Sequence, residues 1–368
     1  MIKLLVELLQ GAGIDFGFFR LIDYVTFRVL SGMATALALT LLIGFRMTVA
    51  LYDRQIRDTS GDFLSVGVSS KRGTPTAGGS MLLVSTLISA FLWTDLFNPF
   101  LWPLVIGFAY FCAVGFLDDF LKARFKSSLS GLSQFAKTLL MLGFIVPFGI
   151  YFVSSWSPVP EHLQTLIYIP FYKNPVLDLG DVGFFLFAVF TFFAIINAVN
   201  ITDGMDGLLC GTASLTLAVY VVLAYILGNT IYSDYLLFPY VAGAQEMSVF
   251  GAILIGGVLG FMWFNTYPAE IFLGDTGSLG IGGTLSMMAI MTKQEFLFVI
   301  VGGVFVFEVF TSLVQQKVGE RIGRRLFHRA PAHHAMTHKG IPEPKVVVRF
   351  WIVSLILASI ALLSLKIR

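Results

Sequence analysis

The apolar residues of this chain fall into blocks of about 18–22, separated by short polar stretches rich in glycine and proline, and that is the length needed to cross a bilayer. Ten such blocks predict helices with cores near 27–45, 78–93, 101–117, 135–153, 182–199, 208–227, 248–264, 279–291, 296–316 and 347–365. The eighth is the weakest, being short and glycine-rich. Ten-residue segments of alternating polarity are missing from the sequence, which argues against a closed β-barrel. Composition points the same way. The chain is 57% hydrophobic and 12% charged, against about 25% charged for a typical soluble domain. Soluble enzymes, coiled coils and disordered chains are excluded on that ground. A net charge of +2 with no strongly basic tract argues against a nucleic acid polymer as partner. The expected fold is a single all-α polytopic membrane domain over 1–368.

The opening residues MIKLLVELLQGAGIDF carry Glu7 and Asp15 and never form a long apolar core. No cleaved signal peptide is expected, and Phe27–Gly44 is the expected insertion signal. Cys112 and Cys210 lie inside or beside apolar blocks and read as small buried hydrophobes.

Lysine and arginine set the expected orientation. The 46–77 stretch holds Arg46, Arg54, Arg57, Lys71 and Arg72, the 118–134 stretch Lys122, Arg124 and Lys126, and the 317–346 stretch seven more basic residues. The alternate loops 94–100 and 228–247 hold none, and 154–181 only Lys173. The positive-inside rule then predicts both termini outside (periplasmic) and the polar segments about 46–77, 118–134, 200–207, 265–278 and 317–346 in the cytoplasm. The outward 154–181 loop has room for a short β-hairpin or an interfacial helix, but no reactive cluster.

Three acidic segments share the predicted cytoplasmic face. Asp118 and Asp119 end the third block in GFLDDFLKARFK, and a continuing helix would place Lys122 on the face of Asp118. A headgroup anchor is the plain alternative, yet two adjacent carboxylates at membrane depth are costly unless a cation relieves them. In NAVNITDGMDGL, Asn200, Asp203 and Asp206 are spaced by three, with Gly204 and Gly207 permitting tight turns; a simple acidic turn would need fewer polar groups. The EF-hand spacing is absent. In FNTYPAEIFLGDTGSLGIGG, Asn265, Glu270 and Asp275 precede the eighth block, where Asp275 reads either as an N-cap or as a ligand beside a helix N-terminus. Hard oxygen donors without paired Cys/His spacing favour Mg2+ or Mn2+ over zinc. Carboxylates, Mg2+ and lysines together are what phosphoryl transfer needs.

Two further segments carry polar chemistry. SSKRGTPTAGGS places Lys71 and Arg72 before a turn, without the ending of a Walker A loop. RRLFHRAPAHHAMTHKGIPEPK holds His333, His334 and His338, which read better as phosphate binders than as zinc ligands. Glu308, inside the ninth block, marks a functional or helix-pairing position, and Gly302–Gly303 before it permits a bend.

Taken in order, KRGTPTAGG (71–79), LDDFLK (117–122), NITDGMDGL (200–208), NTYPAEIFLGDTGSL (265–279) and the histidine segment resemble the phospho-N-acetylmuramoyl-pentapeptide-transferase family. That family belongs to the polyprenyl-phosphate N-acetylhexosamine-1-phosphate transferase superfamily. The resemblance runs from about residue 20 to the end. It implies a ten-span enzyme of the bacterial inner membrane, usually a homodimer. Such an enzyme moves phospho-MurNAc-pentapeptide from UDP-MurNAc-pentapeptide onto undecaprenyl phosphate with Mg2+, giving UMP and lipid I for peptidoglycan. Carried over by motif, Asp118, Asp119 and Asp275 are the expected catalytic aspartates, with Asp275 binding the metal and Asp203 as a second candidate ligand. The expected substrate-binding residues are Lys71, Lys122, Asn200, Asp203, Asp206, Asn265, Phe272, His333 and His334. Ala335 and Thr337 depart from the family's third histidine and following glutamate, and His338 stands at a new position. The rival readings are a polyprenyl-phosphate GlcNAc-1-phosphate transferase and, in another class, a secondary transporter. A transporter should carry its acidic residues near mid-membrane in duplicated halves, and neither feature is found.

Overall fold

In the computed structural model the structure describes residues 1–13, 16–17, 19–54, 73–125, 131–322 and 329–367. Two short helices, α1 (Ile2–Gly11) and α2 (Phe19–Asp23), precede the first long one, α3 (Val25–Asp53). Then come α4 (Gly79–Trp93), α5 (Leu101–Arg124), α6 (Gln134–Phe152) and the short α7 (Glu161–Gln164). A two-stranded hairpin, β1 (Leu166–Ile167) and β2 (Leu177–Asp178), pairs Leu166 with Asp178 and Ile167 with Leu177, antiparallel. The 154–181 loop thus holds both a hairpin and a helical turn.

The second half continues with α8 (Gly180–Thr202), α9 (Leu208–Leu227), α10 (Thr230–Tyr235), α11 (Gln245–Asn265) and α12 (Gly274–Met291). It ends with α13 (Leu297–Val301), α14 (Gly303–Val314), a π-helical turn (Gln315–Gly319), α15 (Glu320–Ile322), α16 (Ala332–His338) and α17 (Glu343–Leu363). Every predicted apolar block is helical. The ninth is split at Gly302, where the sequence allowed a bend. Among the described residues, 7 helices are long and apolar enough to cross a membrane, namely α3, α5, α6, α8, α9, α11 and α17.

Local chemistry sets the boundaries. Ser133 caps α6 by accepting a hydrogen bond from the Ala136 amide at 3.1 Å. Asn229 caps α10 through the amides of Ile231 and Tyr232. Gly207 opens α9 at φ +76°, a left-handed conformation that glycine adopts without steric cost.

The bundle is organised around α11 and α12. Helix α11 packs on α3, α9 and α4, while α12 packs on α5 and α8. All residues of α12 from Thr276 to Met291 are buried. That explains its weak apolar signal, because its neighbours are protein and small residues let them approach. A methyl group added at Gly280 would lie 2.4 Å from Cys112 Sγ, and one at Gly283 2.4 Å from the Phe111 ring. Both cysteines are buried and free.

The two ends of the bundle collect different segments. At one end lie the C-terminal ends of α5, α8 and α11 with the start of α12. The other end carries buried ion pairs. Arg28 and Glu246 meet at 2.6 Å. Lys293, in the turn after α12, lies 3.4 Å from Glu295, donates to the Gln164 carbonyl at 2.9 Å and stands 3.5 Å above the Phe184 ring.

Candidate active site

Helix α5 does not stop at its aspartates but continues to Arg124, placing Lys122 one turn beyond Asp118 on the same face. The ammonium of Lys122 lies 2.7 Å from Asp118 Oδ2 and 2.7 Å from Asp275 Oδ2, on α12. Lys137 of α6 joins them, 3.0 Å from Asp275 and 3.8 Å from Asp118. Asn200, near the end of α8, donates its side-chain amide to Asp275 Oδ1 at 2.6 Å and to Ser278 Oγ at 2.8 Å. Four helices therefore converge on one carboxylate. Asp118 Oδ1 also accepts from the Leu132 amide at 2.6 Å, which fixes the turn leading into α6.

Asp119 points elsewhere. Its Oδ1 accepts from the Asp275 amide at 3.1 Å, and its Oδ2 from the Thr276 amide at 3.0 Å and the Thr276 hydroxyl at 2.6 Å. The first amides of a helix have no partner within it and favour negative charge. Asp119 thus caps α12 from another helix. Asp275 lies within the first turn of α12, whose N-cap position is Leu273, so Asp275 is not itself the cap. The approach is close enough to require glycine. Gly274 has φ +73°, and a methyl group there would meet Asp119 Oδ2 at 2.4 Å. A methyl group at Gly115 would lie 2.1 Å from the Asp275 carbonyl oxygen.

Asp203 closes α8 beside this group. Loss of water pushes its carboxyl well above the usual carboxylate range, and the negative charges of Asp275, Asp119 and Asp206 push the same way. Asp206 and Asn265 tie neighbouring segments together. Asp206 accepts from the Ala269 amide at 3.1 Å, and its own amide donates to Glu343 Oε1 at 3.0 Å. Asn265 accepts from the Gly207 amide at 2.9 Å and donates to the Ile271 carbonyl at 2.8 Å. Phe272 is half-buried; its amide donates to the Pro75 carbonyl at 2.9 Å, and its carbonyl accepts from the Gly78 amide at 2.9 Å. The GTPTAGG turn and the 265–279 segment are thereby stitched into one wall. Lys71 lies outside the described residues.

The histidines sit behind the Asp203 turn. His333 is fully buried and its ring centroid is 4.3 Å from that of His334, which is half-buried. Glu308 is paired with a histidine: its Oε2 is 3.0 Å from His333 Nδ1. His338 is exposed.

The expected acidic residues of all three segments therefore meet at one end of the bundle. Sequence reasoning missed Lys137, Thr276 and Glu343. Lys137 had a signal, being the one cation inside the fourth apolar block, 135–153.

The donors fit a hard divalent cation in kind, since Asp275, Asp203 and Asp118 present only oxygen. The Lys122 ammonium already bridges Asp118 and Asp275, which shows that this position attracts positive charge. Among the described residues, no three His, Cys, Asp or Glu side chains converge as a formed metal site.

A bundle of helices of membrane-spanning length with this polar cluster at one end defines a polytopic membrane protein, and the comparisons with known proteins make it one of a family of enzymes. The model of glycosyl transferase family 4 matches residues 101–293, the stretch from α5 to the turn after α12. A phospho-N-acetylmuramoyl-pentapeptide-transferase of Citrifermentans bemidjiense is 40% identical over 372 aligned positions, covering 99% of this chain and 100% of the relative. One from Geobacter sp. (strain M21) is likewise 40% identical, with the same coverage. The chain belongs to the phospho-N-acetylmuramoyl-pentapeptide-transferase family.

Proposed function

We propose that this protein transfers phospho-MurNAc-pentapeptide from UDP-MurNAc-pentapeptide to undecaprenyl phosphate in a Mg2+-dependent reaction, giving lipid I and UMP for peptidoglycan synthesis. The observation that carries the reading is the convergence of Lys122, Lys137 and Asn200 on Asp275 beside Asp118, within a family whose relatives bear that name along their whole length. We place the site at the cytoplasmic surface of the bacterial inner membrane, with about ten spans, both termini outside and two copies per assembly. The lysine-rich loops support that orientation.

In the reaction, an oxygen of the lipid phosphate forms a bond to the β-phosphorus of the UDP-sugar. The bond from that phosphorus to the bridging oxygen breaks, and UMP leaves. A phosphate monoester has a second pKa of about 6, so near neutral pH its oxygen is already mostly deprotonated. Asp118 then orients the attacking phosphate more than it removes a proton. Lys122 and Lys137 steady the charge spread over the diphosphate. Asp119 keeps the first turn of α12, and with it Asp275, in place. Asp275 and Asp203 are the residues that would hold Mg2+, which when bound neutralises charge on the diphosphate. Phe272 and Lys71 are assigned to the uracil, and Asn200, Asp206, Asn265, His333 and His334 to the walls of the substrate site.

The test is UMP release by the purified full chain in detergent, with undecaprenyl phosphate, Mg2+ and either UDP-MurNAc-pentapeptide or UDP-GlcNAc. Release with the first sugar alone is expected. Release with UDP-GlcNAc would assign the chain to the sister activity instead, and no release with either would overturn the proposal.

A further inference from the structure

A carboxylate in the middle of an apolar helix is costly to bury unless it is paired. Glu308 lies in VFVFEVFTSL on α14 with no exposed surface. Both of its oxygens are directed at one residue. Oε1 accepts from the His333 backbone amide at 3.1 Å, and Oε2 lies 3.0 Å from His333 Nδ1. Glu308 therefore fixes both the first turn of α16 and the plane of the imidazole.

The other ring nitrogen faces the Asp203–Gly204 turn. His333 Nε2 is buried and has no hydrogen-bond partner among the described residues. It abuts Gly204, where an added methyl group would fall 2.2 Å from Nε2. Gly204 follows Asp203 directly, in the turn between α8 and α9. The absence of a side chain at Gly204 is thus what lets the imidazole seat against this turn.

We infer that Glu308 is a positioning residue of the transferase: acting through His333, it sets the Asp203–Gly204 turn against which the ring is seated. This rests on the assignment of Asp203 to the substrate and metal region. A carboxylate accepts and cannot donate, so Nδ1 carries a proton and Nε2, when the ring is neutral, presents its lone pair to the turn. In water the opposite tautomer prevails, which makes the arrangement a distinctive mark of the pair. Glutamine at 308 would keep the shape, but its amide can donate to Nδ1 and release that constraint.

The test combines a spectrum with kinetics. Full-length protein labelled with 15N-histidine in lipid bilayers, with His333 assigned by its loss in His333→Asn, should show Nδ1 protonated from pH 6 to 9. A bare Nδ1 in the wild type would overturn the inference whatever sugar the enzyme uses, so this reading does not depend on the proposed substrate. Glu308→Gln should lower kcat about 10–100-fold, as loss of an orienting partner commonly does, with a smaller change in KM. The double variant Glu308→Gln/His333→Asn should be no slower than His333→Asn alone. Losses that multiply would show Glu308 acting independently of His333 and would also sink the idea. Should Glu308→Gln not fold, Glu308→Asp serves in the same cycle, and the wild-type spectrum decides by itself.

Discussion

Lys122 Nζ lies 2.7 Å from Asp275 Oδ2, a contact that joins α5 to α12 across the site. Because the same ammonium also holds Asp118, removing it leaves two carboxylates facing one another with only Lys137 between them. Lys122→Met should therefore cut UMP release by about 100-fold or more, the scale seen when a charge-stabilising donor is lost. Lys122→Arg keeps the charge but brings a planar fork to a place shaped for a point charge, and should recover only part of the rate. Wild-type turnover in the methionine variant would remove Lys122 from the mechanism.

The Asp119 cap predicts a stability effect that is separable from chemistry. Thr276→Val removes one hydroxyl donor while keeping the shape, and should cost about 1–3 kcal/mol. Asp119→Asn replaces a pure acceptor with a group that also presents N–H to the amides of α12, and should cost at least as much. Melting temperature in detergent is the measurement. An Asp119→Asn protein that melts like wild type would contradict the capping role.

Gly115 permits the close pass of α5 over the start of α12. Gly115→Ala would place a methyl group on the Asp275 carbonyl oxygen, so the helices must part. Overpacking of this kind typically costs about 1–3 kcal/mol, and here it should also lower activity because Asp275 moves with its backbone. The expected result is a lower melting temperature together with a loss of turnover. Full activity would show that the contact is slack.

At the opposite end, burial lowers the Lys293 ammonium to about 8, against the opposing pull of Glu295. Lys293→Met leaves the Glu295 carboxylate buried and unpaired, at a cost of about 3–5 kcal/mol, whereas Lys293→Met/Glu295→Leu should recover most of it. The sign of the pH effect follows from the downward shift. Below about 8 the ammonium is charged both folded and unfolded, and the full burial cost applies. Between 8 and the ordinary 10.5 only the unfolded chain keeps the proton, so stability rises with pH. Melting temperature of the wild type, taken relative to the double variant, should climb across that window. A flat or falling difference would refute the assignment.

Much of this architecture was legible because lipid imposes a length and a composition on any helix it surrounds. Helices α3, α8 and α17 announce themselves in that way. Helix α12 hardly does, since the partners that bury it are protein and select for small residues rather than greasy ones. The acidic segments were visible as polar groups in excess of what turning requires. Their division of labour was not. Asp118 and Asp119 are adjacent in sequence, yet one reaches Lys122 and the other the amides of α12, and only the helical geometry decides which. Lys137 and the Glu308–His333 pair depend on neighbours distant in the chain, which spacing along one segment cannot reveal.

The enclosure of α12 has a consequence for biogenesis. A segment with so little greasy surface has a weak claim on hydrocarbon by itself, so its retention during synthesis depends on α5 and α8 already waiting to receive it. Nascent chains halted just past Met291 should keep this segment only when those earlier helices are intact, which would make assembly of the end that carries the acidic cluster a late and cooperative event.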